Sequence, residues 1–196
     1  GEVFNTEDEE ILASVNAYCN EINNHVKQTA LAYLNQGKLV AILGGDHNSP
    51  LGLIQALAEK YNDFGILQTS IRNEVDYIKN LKGRITTFFD WDIKAQQFGG
   101  KTWETICDEI INELPQKVYI TYDIDALDPK HCPNTGTPVP GGFEYEQINY
   151  LINKLVESKK QIIGFDLNEV GNSDWDANVG ARVLFKLCNF LKKSNL

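Results

Sequence analysis

The stretch that decides the fold is residues 117–143, which read KVYITYDIDALDPKHCPNTGTPVPGGF. Its first residues are nearly all apolar or β-branched, which is typical of a strand covered on both faces of a sheet. Asp123 and Asp125 follow, and Asp128-Pro129 then ends the strand because proline lacks the N–H that a ladder needs. Residues two apart in a strand point to the same side, so we expect both carboxylates to converge on one site.

The aspartate pair indicates a metal site. Two buried carboxylates repel each other and raise one another's pKa. A hard divalent cation, which prefers carboxylate oxygens, removes this cost. The alternative is that one aspartate caps the turn while the other is solvated, since aspartate is common in turns.

A second polar cluster follows the apolar run KLVAIL at residues 38–43. Gly44-Gly45-Asp46-His47 comes next, and the two glycines permit a tight turn and close backbone approach. Neither GxGxxG nor GK[ST] is present, so this is not a nucleotide-binding loop. His47 is a candidate metal ligand, and Asp46 is expected to orient it or cap the turn. Ser49-Pro50 should then start a helix as N-cap and first helical residue.

The rest of the chain alternates strand and helix patterns, which predicts one α/β domain: a three-layer α/β/α architecture with a mostly parallel sheet. Parallel strands end at one sheet edge, so His47, Asp123, Asp125 and Glu169 should face one cleft. Residues 90–92 (Asp-Trp-Asp) are predicted to be a loop. Further strands are expected at 64–68, 85–89 and 161–170, and helices at 6–36 (one or two), 51–61, 103–114, 144–157 and 178–193.

Composition limits the function classes. A length of 196 residues favours a single domain, and the net charge of −9 argues against general nucleic-acid binding, which needs a basic face. The four cysteines show no CxxC spacing, which favours reduced thiols and a cytoplasmic protein. The absence of an 18-residue apolar run and of a signal-peptide pattern predicts no membrane segment.

Three motifs in order resemble the arginase/agmatinase superfamily, the ureohydrolases. The family's SxDxDxxDP and PxTGTPxPGG stand here as TYDIDALDP and PNTGTPVPGG, with Thr121 where serine is usual. GGDH at residues 44–47 is similar to the family's first metal motif. GFDLNEV at residues 164–170 is similar to the segment whose glutamate faces the substrate. The resemblance extends from about residue 38 to the end of the chain and implies an arginase-like fold.

The resemblance also implies a chemistry. Two manganese ions would be held in part by His47, Asp123 and Asp125, and hydroxide would attack a guanidino or formimino carbon. Urea or formamide and an amine would be released. Glu169 would receive the guanidinium group and Thr137 would line the substrate site. Relatives are commonly oligomers, so a homo-oligomer is expected.

The chain departs from the family pattern at Gln68-Thr69. The family strand at this point leads into DAHxD, which supplies the bridging aspartate and further metal ligands, but here GILQ runs directly into TSIR. The family's general acid/base histidine would also fall within the missing segment. The chain also starts at Gly1 and contains no methionine. We therefore expect family residues to be missing before Gly1 and between Gln68 and Thr69, so that this chain alone lacks a complete site.

Two other classes remain open. A shortened natural relative could keep the fold and act as a non-catalytic binding or scaffold protein. A metal amidohydrolase of the related deacetylase fold would share the paired aspartates, but it would not be expected to carry GTPVPGG.

Overall fold

The computed structural model describes residues 6–69, 86 and 88–196, with side chains in the first helix from residue 10 onward. The strands are β1 (Val40–Leu43), β2 (Gly65–Thr69), β3 (Lys117–Asp123) and β4 (Gln161–Asn168). The helices are α1 (Thr6–Leu34), α2 (Leu51–Lys60), α3 (Asp90–Phe98), α4 (Trp103–Asn112), α5 (Tyr145–Glu157) and α6 (Asp174–Lys193), and a short 3₁₀ turn spans Ile124–Ala126.

The four strands form one sheet in the order β1-β4-β3-β2, and every neighbouring pair is parallel. β3 and β4 occupy the centre and are buried along almost their whole length, as their near-continuous apolar sequences predict. The carboxyl ends of all four strands therefore lie at one edge, where β3 ends beside β4 with Asp123 paired to Asn168.

Helices cover both faces of the sheet, which confirms the predicted three-layer α/β/α fold. On one face, α1 and α2 pack on the central strands through a cluster that includes Leu34, Leu57 and Tyr119. On the other face, α4, α5 and α6 contribute to a larger cluster with alternate residues of β3 and β4, among them Ile120 and Phe165.

Several local predictions need correction. Residues 90–92 are the first turn of α3 and not a loop; Asp90 and Asp92 suit that place because the helix dipole favours negative charge there. Ser49 does not cap α2: Pro50 occupies the N-cap position, while the Ser49 hydroxyl donates to the Asp46 carbonyl. The start of α6 lies at Asp174 and not at 178, because the Ser173 side chain caps it.

Other boundaries differ less. The first helix is a single one of 29 residues. Of the predicted strand 85–89, residues 86, 88 and 89 are not in a strand, and 85 and 87 lie outside the described residues. The free thiols predicted from the cysteine spacing are confirmed for all four cysteines. None of the described helices is long and apolar enough to cross a bilayer.

Strand β2 is continuous through the position where family residues are expected to be missing. Gln68 pairs with Thr121 and Thr69 with Tyr122, so both belong to one regular ladder beside β3. Residues 70–85, which follow, lie outside the described part of the chain. The expected omission concerns a longer chain and stays a prediction.

We expect Gly52→Ala to destabilise the fold, because α2 crosses α1 at this residue with no space for a side chain. A Cβ at Gly52 would lie 2.5 Å from the Asn23 carbonyl oxygen and 2.8 Å from the Val26 Cβ. Overpacking of this kind costs about 1–3 kcal/mol of unfolding free energy, measurable by urea unfolding. Gln55→Ala, on the exposed side of the same helix, is the control and should change it by no more than about 0.5 kcal/mol. Equal stabilities of the two variants would contradict this packing.

Candidate active site

The two aspartates converge through a turn and not through strand alternation. β3 ends at Asp123, and Asp125 lies in the 3₁₀ turn that follows. The Asp125 amide donates to Asp123 Oδ1 over 3.1 Å, and each residue is only 3% exposed. The capping alternative is therefore correct for Asp123, but Asp125 is not solvated. The prediction that both aspartates lie in the strand and point to the same side is wrong, although the two residues do lie together.

The electrostatics of the pair favour a bound cation. Burial and the neighbouring Asp123 carboxylate, together with Glu169, raise the pKa of Asp125 to about 6, against the hydrogen bond from Thr137. Burial also acts on Asp123, but hydrogen bonds from His47 and from Asp125 lower its pKa below the usual range. Asp125 Oδ1 is buried and has no hydrogen-bond partner among the described residues. A divalent cation would satisfy that oxygen and offset the repulsion.

His47 reaches the same site from the loop after β1. Its Nδ1 lies 2.9 Å from Asp123 Oδ2, and its Nε2 lies 2.8 Å from Thr121 Oγ1. Two adjacent donors on an octahedral cation with bonds near 2.1 Å are about 3 Å apart, so the first distance suits a shared metal. Asp46 caps the turn, accepting from the Asn48 amide over 2.8 Å, which confirms the capping role expected for it.

Glu169 is held at the site by its own backbone. It follows β4 with φ of 62°, a left-handed conformation that is uncommon for a residue with a side chain. Its N–H donates to the Gly45 carbonyl over 2.8 Å, and its carbonyl accepts from the Thr135 hydroxyl over 2.6 Å. The Oε1 atom accepts from the His47 amide over 3.1 Å. These bonds fix the direction in which the Glu169 carboxylate points.

Each residue of the Thr135-Gly136-Thr137 segment either hydrogen-bonds to Glu169 or Asp125 or leaves space for the Glu169 side chain. Thr135 holds the Glu169 backbone, as described above. A Cβ at Gly136 would lie 2.5 Å from Glu169 Oε2, so glycine leaves the space that the glutamate occupies. The Thr137 hydroxyl donates to Asp125 Oδ2. Thr137 was expected to line the substrate site. In the structure this exposed residue contacts the candidate metal ligand Asp125 through its hydroxyl.

A buried polar chain behind His47 was missed at the sequence level. Asp166 is fully buried and accepts from Tyr119 Oη over 2.6 Å, from Thr121 Oγ1 over 2.9 Å and from Asn168 Nδ2. Burial raises the pKa of Asp166 while these donors oppose the shift. The signal was available, because Tyr119-x-Thr121 and Asp166-x-Asn168 put polar groups two apart in otherwise apolar strands.

The candidate ligands contact one another in pairs. The His47 ring contacts the Asp123 carboxylate, and the Asp125 amide donates to that carboxylate. Within the described ranges, however, no group of three or more His, Cys, Asp or Glu side chains is arranged to hold a metal ion. His47, Asp123 and Asp125 therefore do not form a three-residue metal site by themselves in the described part of the chain.

Comparison with known proteins agrees with the motifs. The model of the Arginase family matches residues 3–70 and 70–189. The chain belongs to the arginase family. The two matched segments meet at residue 70, directly after Thr69, the last residue of β2 in the sequence.

Relatives within the family share about a quarter to a third of their residues with this chain. An N(1)-aminopropylagmatine ureohydrolase of Thermus thermophilus is 28% identical over 194 residues, covering 84% of this chain and 66% of the relative. The agmatinase of Edwardsiella ictaluri is 30% identical over 180 residues, covering 76% of this chain and 58% of the relative. The chain thus spans less than two thirds of the length of these relatives.

Solved structures show the same fold. The arginase from Bacillus subtilis superposes with a TM-score of 0.72 at 18% identity, covering 86% of this chain and 77% of that one. The agmatine ureohydrolase of Thermoplasma volcanium gives a TM-score of 0.68 at 20% identity, covering 89% and 70%. The arginase-like fold implied by the motifs is therefore confirmed.

Proposed function

We propose that the complete protein is a manganese-dependent ureohydrolase that cleaves a guanidino compound of the agmatine type, or a formimino compound, into urea or formamide and an amine. The observation that carries the proposal is the buried pair Asp123 and Asp125 with His47 Nδ1 only 2.9 Å from the Asp123 carboxylate. The ureohydrolase and agmatinase relatives described above support it at the level of the reaction.

The residues of this chain would have distinct roles. His47, Asp123 and Asp125 would hold part of a two-ion centre, which when bound would supply hydroxide at neutral pH. Glu169 would accept two charge-assisted hydrogen bonds from the guanidinium group of the substrate and orient its carbon toward the aspartates. Thr137 would keep the Asp125 carboxylate in its binding rotamer through the hydroxyl that donates to it.

The remaining donors would come from residues absent from this chain. Hard divalent cations take about six donors each, and three side chains cannot supply two such ions. Two further observations support a missing segment. The family match divides at residue 70, and the alignment with the Thermus relative counts 194 residues although it covers only 84% of this 196-residue chain.

The proposal is tested by an assay of the complete protein. Loaded with Mn²⁺, it should release urea, ammonia or formamide from at least one member of a panel containing agmatine, aminopropylagmatine, arginine, guanidinobutyrate and formiminoglutamate. Removal of the metal by a chelator should abolish turnover, and added Mn²⁺ should restore it. The 196-residue chain alone should remain inactive under the same conditions.

A complete, manganese-loaded protein that is inert on the whole panel would reject the proposal and favour a non-catalytic relative. A gene that encodes no segment between Gln68 and Thr69 would point the same way. A cytoplasmic location and assembly into a homo-oligomer remain predictions, the second of which light scattering on the purified protein would check.

A further inference from the structure

The first turn of α6 holds the loop that follows β3. Asp176 lies in this turn and is fully buried. Its Oδ2 atom accepts from the Asn134 amide over 3.1 Å. The indole of the adjacent Trp175 donates to the Lys130 carbonyl over 3.2 Å. Two neighbouring residues of one helix turn therefore bind the loop backbone at residues 130 and 134.

The contact between Asp176 and Asn134 is tightly packed. A Cβ at Gly171 would lie 2.0 Å from Asp176 Oδ2 and 2.5 Å from the Asn134 carbonyl oxygen. Glycine at this position therefore allows the loop, the turn after β4 and the start of α6 to approach one another closely. Cys132, two residues before Asn134 in the loop, is only 1% exposed.

Helix capping alone does not account for the Asp176 side chain. Ser173 caps α6 by accepting from the Asp176 amide over 3.1 Å. In a capping box, the side chain of the third helical residue returns to the backbone amide of the cap. The Asp176 carboxylate instead accepts from Asn134, 42 residues away in the sequence. Asp174, exposed in the same turn, already supplies a negative charge to the helix N-terminus.

The loop that Asp176 binds continues directly into the candidate active site. Thr135 follows Asn134, and its hydroxyl donates to the Glu169 carbonyl over 2.6 Å. Two residues further on, the Thr137 hydroxyl donates to the Asp125 carboxylate. The contact with Asp176 therefore lies immediately before the two threonines that hold the candidate substrate-binding and metal-binding carboxylate residues.

We infer that Asp176 is a positioning residue for the proposed reaction, which fixes the loop of residues 132–137 against the turn that carries Glu169. Without the carboxylate, the Asn134 amide would lose its acceptor, which favours an open loop in which water accepts instead. Thr135 and Thr137 would then no longer be held in one place. The inference rests on the proposed function for the identity of the reaction, but the anchoring of the loop is a property of the metal-free protein.

The kinetic test uses the complete, manganese-saturated protein. Asp176→Ala should lower kcat/KM for the guanidino substrate about 10- to 100-fold, because small misplacements of binding groups reduce rates this strongly. Asp176→Asn removes the same charge but keeps an oxygen that accepts from Asn134, so it should retain most of the wild-type activity. Asp174→Ala, in the same helix turn, is the matched control and should match the wild type. A role in stability alone would lower the melting temperature of Asp176→Ala while leaving kcat/KM of the folded molecules unchanged, and would overturn the inference.

A second test measures the exposure of Cys132 in the metal-free, complete protein and needs no activity. Burial raises the pKa of the Cys132 thiol, against a hydrogen bond from the Gly171 backbone, and the Asp176 carboxylate adds to the rise. The wild-type thiol should therefore react slowly with N-ethylmaleimide. Peptide mass mapping should show Cys132 reacting about 10-fold faster or more in Asp176→Ala, because the loop opens. The other buried thiol, Cys107, should stay protected, and Asp176→Asn should keep Cys132 protected.

Equal labelling of Cys132 in Asp176→Ala and in the Asp174→Ala control would overturn the inference. Parallel exposure of Cys107 would overturn it as well, because that result would indicate general loosening of the fold. If Asp176→Ala fails to fold by circular dichroism, Gly171→Ala decides the question: its Cβ would displace the Asp176 carboxylate, so it should show the same loss of kcat/KM and the same exposure of Cys132. A complete protein that is inert on the whole substrate panel would reject the proposed function, while the labelling would still show whether Asp176 holds the loop, so the two failures are distinguishable.

Discussion

Asp125→Asn in the complete protein should lower turnover of the guanidino substrate by about 100-fold or more, because even residues that only orient metal ligands contribute about 10- to 100-fold. The amide keeps the volume and still accepts from Thr137, so the fold should persist. The substitution removes one negative charge. It also converts Oδ1, which has no hydrogen-bond partner among the described residues, into a weaker metal ligand or into a hydrogen-bond donor. Loss of bound manganese, measured by elemental analysis, should accompany the loss of activity.

The matched control for this variant is Asp63→Asn. Asp63 is exposed in the loop between α2 and β2, at the opposite edge of the sheet, and its substitution makes the same change of charge. It should retain both the metal content and the activity of the wild type. Full manganese content in Asp125→Asn would remove this aspartate from the set of metal ligands.

Glu169→Gln should separate substrate use from metal binding. A hydrogen bond to a charged group contributes about 1.5–3 kcal/mol, so kcat/KM for the guanidino substrate should fall about 10- to 150-fold. The metal content should stay unchanged. The backbone bonds to Gly45 and Thr135 do not involve the carboxylate, so the left-handed turn at residue 169 should survive.

Glu157→Gln, on the exposed end of α5, is the control for this change. Its kinetics should match those of the wild type. A Glu169→Gln enzyme with wild-type kcat/KM would mean that another group receives the guanidinium. One that loses manganese would instead make Glu169 part of the metal centre.

Much of the fold was predictable because the chain alternates long apolar strands with amphipathic helices. β3 and β4 could be predicted without tertiary information, because their near-continuous apolar runs are typical of strands in a sheet covered on both faces. The helix starts were less predictable: Ser49 and Ser173 are both good caps by residue type, yet only Ser173 caps the helix that follows it. The difference arises because the Ser49 hydroxyl donates instead to the Asp46 carbonyl in a local turn. Residue type alone does not reveal that turn.

The candidate site was predictable to the extent that its residues follow strands. His47, Asp123 and Glu169 do lie at one sheet edge, and family motifs singled them out. Sequence reasoning could not assign Thr135 to the Glu169 carbonyl, because that bond joins segments 34 residues apart and depends on the left-handed backbone at Glu169. Polar residues inside apolar strands, such as Asp166, were a usable signal that we did not interpret.

The strand order has a consequence for the newly made chain. β4 is inserted between β1 and β3, yet it is the last of the four described strands to be synthesised. Val40 of β1 pairs with Gly164 of β4. At a synthesis rate of about 5–20 residues per second, Gly164 is translated roughly 6–25 s after Val40. During that time an apolar strand with open edges is available to other chains, a state prone to aggregation.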